Sequence, residues 1–302
     1  MKKNILWALG LILFLSAAAM GKEPVKLPSN LTDPGEQTGR KVVMFVFGHF
    51  DDDSAIAGTL NMYLRSGWQV HQVWVTTAGM DSFWYGTQES RTQEMLEVAK
   101  FTKVPAENRH LIGIHDREAV AHLPEIADKV TELIAKYKPS VVFTCAYEGG
   151  HWDHDSSSLG AYVASRRLAF PFERYEFPTY NRNGPKIFPL QFNHFLESYG
   201  KPQYVRLDDE AWAMRKKVRY GYKSQWFLMM PEGMIYGYRH LRGRGEAIRK
   251  APAYDYLKPP HEGTLFIQAN IVGALRGAPF SDWQKGVCGI PEFRDTKECG
   301  AQ

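Results

Sequence analysis

Three observations predict an α/β fold with a mainly parallel sheet for this 302-residue chain. Short apolar, β-branched runs alternate with longer stretches of helical periodicity, as βαβ units require. The first run, Val42-Val43-Met44-Phe45-Val46-Phe47, is apolar throughout rather than at every second residue, which fits a strand covered on both faces. Glycine and proline mark the boundaries without any period that would indicate a solenoid.

Taken in order, Lys2 and Lys3 precede an apolar run from Ile5 to Leu15 and then Ala17-Ala18-Ala19, the three-part pattern of a secretory signal. The run falls short of the roughly twenty apolar residues that span a bilayer. Residues 1–19 are therefore expected to be a cleaved signal peptide, with an uncleaved anchor as the alternative. In both cases the remainder is exported, periplasmic or secreted, and no stable membrane span survives signal cleavage. Residues 20–40, with Pro24, Pro28, Pro34 and Gly35, read as an extended lead-in. The first strand ends at Gly48, and helical spacing of Ala55, Ile56, Leu60 and Leu64 predicts a helix over 54–65. Strands are predicted at 69–76, 109–114 and 140–145, and helices at 88–101, 124–137 and beyond Asp155. Residues 170–205 are irregular, and Asp208 caps a further helix to Tyr222. The result is a Rossmann-like core over 41–225, with helices on both faces of its sheet. Residues 226–302 form an irregular C-terminal extension of the same domain.

A 44% apolar content supplies a substantial core, and 37 basic against 33 acidic residues give a formal charge of only +4. That balance argues against nucleic acid as a partner. Removing Lys2 and Lys3 with the signal lowers it to +2. An oxidising compartment would allow Cys288 and Cys299 to pair across a small Gly/Pro-punctuated loop, whereas Cys145, at the end of an apolar strand, reads as a small buried hydrophobe. Nothing in the sequence sets the oligomeric state.

In an open parallel sheet, chemistry gathers beyond the carboxyl ends of the strands. Two clusters lie there. Gly48-His49-Phe50-Asp51-Asp52-Asp53 follows the first strand, and Tyr147-Glu148-Gly149-Gly150-His151-Trp152-Asp153-His154-Asp155 follows the strand ending at Cys145. Imidazoles and carboxylates converging from two such loops can share a metal ion. Consecutive aspartates before a helix are also good caps, and a glycine-flanked His-x-Asp-His can be solvated surface. Spacing alone leaves both readings open. The signatures G-x-G-x-x-G, Walker A, G-x-S-x-G, H-E-x-x-H and C-x-x-C are missing from the chain.

At these residues the chain resembles the PIG-L/LmbE-type zinc-dependent N-deacetylases. Residues 48–53 are similar to that family's A-H-P-D-D-E motif, and His151-Trp152-Asp153-His154 to its H-x-D-H motif. Thr77-Ala78-Gly79, Arg91-Thr92-Gln93-Glu94, Ile114-His115-Asp116 and Tyr222-Lys223-Ser224-Gln225 resemble its intervening and following segments. The chain departs from the pattern at Gly48, Phe50 and Asp53, where alanine, proline and glutamate are usual.

The resemblance implies that His49, Asp52 and His154 hold Zn2+, or another divalent metal, and that Asp51 is the general base. It implies further that His151 stabilises the oxyanion or protonates the leaving amine, with Asp153 orienting it, and that Arg91 and Asp116 contact substrate. The substrate it implies is an N-acetylated, glucosamine-containing glycan or glycoconjugate. The alternatives are a metallohydrolase of another amide or ester and a glycan-binding protein without turnover. Asp53 and Asp155 read as helix-start residues, Phe83-Trp84-Tyr85 as a packed or sugar-stacking loop, and Arg239, Arg242, Arg244 and Arg249 as a solvated basic face or an anion site.

Overall fold

A computed structural model describes residues 41–77, 86–183, 190–225, 245–269 and 277–300, together with Gly39. At the centre of its sheet lies β1 (Val42–Phe47), parallel to β2 (Gln69–Thr76) on one side. β3 (Arg109–Ile114) continues in parallel beyond β2. On the other side β4 (Val141–Cys145) pairs with β1, and β5 (Glu173–Phe177) with β4, both in parallel. A small separate hairpin joins β6 (Tyr180–Asn181) to β7 (Gln191–Phe192). β8 (Gln203–Arg206) and β9 (Gly245–Lys250) complete a seven-stranded sheet of order β3-β2-β1-β4-β5-β9-β8, with β9 antiparallel to both neighbours. The sheet is mainly parallel, as the alternation predicts.

The unbroken apolar run of β1 splits by parity. Val43, Phe45 and Phe47 enter one core with Leu60 and Tyr63 of α1 (Ala57–Arg65), Val98 of α2 (Gln88–Thr102) and Val218, from a helix introduced below. Met44 and Val46 enter the other core, with Ile126, Val130 and Ile134 of α3 (Leu123–Tyr137) and Leu159 and Val163 of α4 (Trp152–Arg167). Helices therefore cover both faces. Gly160 lets α4 press against Val130 of α3, where a β-carbon would stand 3.0 Å from Cγ2. Val218 belongs to α5 (Asp209–Gly221), which is capped as predicted by Asp208, whose carboxylate accepts the Ala211 N–H at 2.9 Å.

Two boundaries differ from the sequence-based expectation by more than one residue, both beside the clusters. The predicted helix over 54–65 is a 3-10 turn (Phe50–Ala55) followed by α1, because the Asp52 carboxylate folds back to accept the His49 N–H at 2.8 Å. The helix expected beyond Asp155 begins at Trp152, with His151 as its N-cap accepting the Asp153 N–H at 3.2 Å. The His-x-Asp-His segment is thus the rigid first turn of α4 rather than a loop.

The C-terminal seventy residues supply β9 to the sheet. They also supply α6 (Phe280–Cys288), whose Trp283 and Val287 lie in the second core, and the short α7 (Lys297–Gly300). Cys288 and Cys299 are disulfide-bonded. Arg249 is not on a solvated face: it is buried, donating from Nε to Glu176 Oε1 at 2.6 Å across the β5–β9 pair. Residues 1–38, Ala78-Gly79, Phe83-Trp84-Tyr85, Arg239, Arg242 and Arg244 lie outside the described residues. Among the described residues, no helix is long and apolar enough to cross a membrane.

Candidate metal centre at the switch point of the sheet

The chain runs outward from β1 through β2 to β3 and then crosses back to β4 on the opposite side of β1. Such a reversal opens a crevice beyond the carboxyl ends of the two central strands. The loop after β1 carries His49, Asp51 and Asp52, and the segment after β4 carries His151, Asp153 and His154, so topology brings both to one crevice. Gly48 permits close contact: a β-carbon there would lie 2.7 Å from the His154 amide nitrogen and 2.8 Å from its Cδ2.

His49 Nδ1 faces His154 Nε2 at 2.8 Å, and His154 Nε2 lies 3.0 Å from Asp52 Oδ1. Two imidazole nitrogens cannot both present lone pairs at that separation unless a proton or a cation lies between them. These three residues form a buried grouping able to hold a metal ion. Burial would raise the Asp52 pKa, but the His154 and His49 rings outweigh it and hold the carboxyl well below its usual range. Cys145, fully buried, points its thiol at Asp52 Oδ2 at 3.5 Å; burial pushes that thiol well up, so it stays a neutral donor.

The far side of His49 is equally occupied. Its Nε2 lies 3.1 Å from both Asp116 Oδ1 and Asp153 Oδ2. Burial works against charge on this ring, yet those carboxylates outweigh it and hold its pKa well above the ordinary imidazole value. His49, Asp116, His151 and Asp153 also converge closely enough to surround an ion. One imidazole binds cations through both nitrogens only after losing its proton, so Asp116 and Asp153 are read as the hydrogen-bond partners that orient His49.

Asp153 thus reaches His49 more closely than it reaches His151, whose Nδ1 stands 3.8 Å from Asp153 Oδ1. Its Oδ2 also accepts the Arg117 N–H at 2.8 Å, tying the loop after β3 to the centre. Burial lowers the His151 pKa to about 4, leaving a neutral ring near pH 7. Arg91, buried on α2, donates from Nη2 to Asp51 Oδ1 at 2.7 Å. One turn further along α2, Glu94 accepts from the Ser224 N–H and Oγ at 2.7 and 2.6 Å, and the Tyr222 hydroxyl donates to the Phe50 carbonyl at 2.7 Å. The described residues of the segments singled out in the sequence are therefore one connected assembly, Thr77 joining it through its N–H to the Ile114 carbonyl.

Asp53 and Asp155 begin helical turns, but their side chains fold inward. Asp155 Oδ1 accepts the Glu148 N–H at 2.9 Å, clamping the loop it follows, and burial raises the pKa values of both carboxyls. Sequence reasoning assigned no role to Glu148, Thr179 or Tyr180. Tyr180 packs edge-on to the His154 ring, with centroids 5.2 Å apart, and edge-on to Phe266. Thr179 and Tyr180 sit in an irregular Phe/Tyr/Pro-rich stretch without periodicity; the only signal for Glu148 was its place beside Gly149-Gly150.

Fold and site together define an α/β protein with a largely buried His/Asp grouping able to hold a metal ion at the switch point of its sheet. Residues 44–165 match the family model PIG-L, GlcNAc-PI de-N-acetylase. Among solved structures it is similar to a teicoplanin deacetylase in a zinc-inhibited form, at 14% identity and a TM-score of 0.52, covering 70% of this chain and 98% of that one. The A40926 pseudoaglycone deacetylase matches at 14% identity and a TM-score of 0.53, over 71% and 100% of the two chains. The N,N'-diacetylchitobiose deacetylase of Pyrococcus horikoshii matches at 17% identity and a TM-score of 0.52, over 74% and 88%. At these identities the solved structures establish the shared fold.

Proposed function

We propose that this protein is an exported zinc-dependent N-deacetylase that removes an acetyl group from a glucosamine-containing glycan or glycoconjugate. The observation that carries this reading is the convergence of His49 Nδ1, Asp52 and His154 Nε2 beside Asp51, within the segment that matches the PIG-L family model. The donor set suits zinc. Two imidazole nitrogens and a carboxylate oxygen, 2.8 and 3.0 Å apart, are donors of the kind that would hold it. Bound there, zinc would lower the pKa of a water and polarise the amide carbonyl.

The remaining chemistry belongs to side chains of this chain. Asp51, outside the ligand set, takes the proton from the attacking water: a carboxylate bound to a divalent metal is a poor base, whereas Asp51 meets Arg91 through Oδ1 and has its second oxygen to offer the proton. Arg91 fixes the direction of that carboxylate through its 2.7 Å contact. The Nδ1 of His151 accepts the Asp153 N–H at 3.2 Å, so the neutral ring carries its proton on Nε2 and can donate it to the developing oxyanion. Asp153 and Asp116 hold His49 in the tautomer protonated at Nε2, freeing Nδ1 as a ligand. Tyr180 and Phe266 form an aromatic wall next to His154, suited to the apolar face of a sugar.

Export is supported by the lysine-led apolar segment at the N-terminus and by the Cys288–Cys299 bond, which persists in oxidising compartments. The substrates named for the similar solved structures favour an N-acetylated sugar. The test is acetate release from chitooligosaccharides, peptidoglycan fragments and simple N-acetylglucosamine conjugates. Release from at least one of them, abolished by a chelator and restored by zinc, is expected; no release from any zinc-loaded reaction contradicts the proposal.

A further inference from the structure

Behind the His154 ring, on the side away from Asp52, three groups form a line that no step above uses. His154 Nδ1 lies 3.2 Å from Thr179 Oγ1, and Thr179 Oγ1 lies 3.4 Å from Glu148 Oε2. With His154 Nε2 given to a metal shared with His49 and Asp52, the proton of the neutral ring belongs on Nδ1. The direction of the whole line then follows. Nδ1–H donates to the threonine oxygen, and the threonine hydroxyl, its lone pair engaged, donates onward to the carboxyl group.

The acceptor end is anchored rather than incidental. Glu148 is 1% exposed and His154 3%. The Glu148 carboxyl group also accepts the Thr179 N–H at 2.9 Å and the Asn181 side-chain amide at 3.3 Å, while its own N–H is held by Asp155. Asn181 in turn donates to the His194 carbonyl at 2.7 Å, and the Thr179 carbonyl accepts the Asn193 N–H at 2.6 Å. Burial pushes the Glu148 pKa up to about 8, so near pH 7 it is mainly a neutral carboxyl whose oxygens accept the bonds named here. The threonine hydroxyl thus stands between a fixed carboxyl group and a fixed imidazole, on a backbone pinned from both sides.

We propose that Thr179 and Glu148 are positioning residues for the metal: the threonine hydroxyl, oriented by the Glu148 carboxyl group, fixes the tautomer and rotation of His154. This rests on the reading of His154 as a metal ligand. A histidine ligand commonly donates its other ring N–H to a carboxylate, carbonyl or water, and loss of that partner typically weakens metal binding about 10–100-fold. His49 receives this support directly from Asp116 and Asp153, whereas His154 receives it through one intervening hydroxyl.

The experiment measures the dissociation constant of Zn2+ for the metal-free full chain, by competition with a chromophoric chelator. Thr179→Val removes the hydroxyl but keeps the side-chain shape and the backbone N–H bond to Glu148; Thr179→Ala is the second variant should the valine chain not fold. Either is expected to weaken zinc binding about 10–100-fold, with Thr179→Ser restoring it to within about 3-fold of the unsubstituted protein. Zinc affinity unchanged in the valine or alanine variant overturns the proposal, as does a serine variant as weak as valine. An unsubstituted chain that binds no zinc overturns both this inference and the metal centre. The expected affinity series with no acetate release from any substrate supports the positioning role and contradicts only the deacetylase reading.

Discussion

Replacing Gly48 by alanine restores the residue usual at the head of the first motif, and the structure predicts that it harms this protein. A β-carbon at position 48 would meet the His154 amide nitrogen at 2.7 Å, the Asp153 carbonyl carbon at 2.8 Å and His154 Cδ2 at 2.8 Å. Ordinary contact begins near 3.4 Å, so α4 and β1 must separate locally by about 0.6–0.7 Å. Two of these atoms are backbone at the buried first turn of α4, and no side-chain rotation relieves them. Overpacking of this kind costs about 1–3 kcal/mol. At about 2–4 °C per kcal/mol in domains somewhat smaller than this chain, thermal unfolding should fall by several degrees. The displaced group is a proposed ligand, so zinc affinity should weaken by about tenfold or more, since shifts of about 0.5 Å already exceed the tolerance of a preorganised site. Differential scanning calorimetry and chelator competition read the two effects separately. A Gly48→Ala protein with unchanged melting temperature and zinc affinity would refute the close approach of His154 to β1.

Two further predictions concern groups away from the centre. Arg249→Met leaves Glu176 buried without its cation and should destabilise the fold by about 3–5 kcal/mol in denaturant titration, while activity per folded molecule stays unchanged; a loss of substrate affinity without loss of stability would return Arg249 to the binding surface. His71, fully buried on β2 against His110, has its pKa lowered to about 4 by burial, with His110 and Lys136 adding to the effect. A ring whose folded pKa lies below its unfolded value near 6.5 contributes its full stability above pH 6.5. That contribution is lost as the pH falls toward 4, about 3 kcal/mol at most. His71→Leu should flatten the stability profile over that window relative to the unsubstituted protein, and identical slopes would show that the ring does not titrate there.

The parts of this fold legible in the sequence are those whose signals are local. The β1 run, the amphipathic spacing of α3 and the Asp208 cap each state their structure within a few residues, and the two His/Asp clusters declared themselves by following strands. What was illegible depends on partners far along the chain. β9 reads Gly-Glu-Ala-Ile-Arg-Lys, too polar for an interior strand, until Arg249 meets Glu176 and Glu246 accepts the Gly58 and Thr59 N–H groups. β5 is hidden for the same reason, since its buried Glu176 is the other half of that pair. The start of α4 was misplaced because histidine is an unusual cap and Ser156-Ser157-Ser158 resembles a loop. Those serines are buried, and Ser156 and Ser157 donate to the Asp153 and His154 carbonyls at 2.7 Å. The line from His154 through Thr179 to Glu148 joins residues from two segments by tertiary contact alone, which no spacing rule anticipates.

The most direct test of the central claim is zinc content and acetate release measured on the same preparations of unsubstituted protein and Asp51→Asn. Asp51 is assigned the proton, and His49, Asp52 and His154 the metal. The variant should therefore keep one zinc per chain with unchanged affinity and lose acetate release by about 10²–10⁴-fold, the usual contribution of a general base. An Asp51→Asn protein that hydrolyses at the unsubstituted rate, or that loses its zinc, would contradict that division of labour.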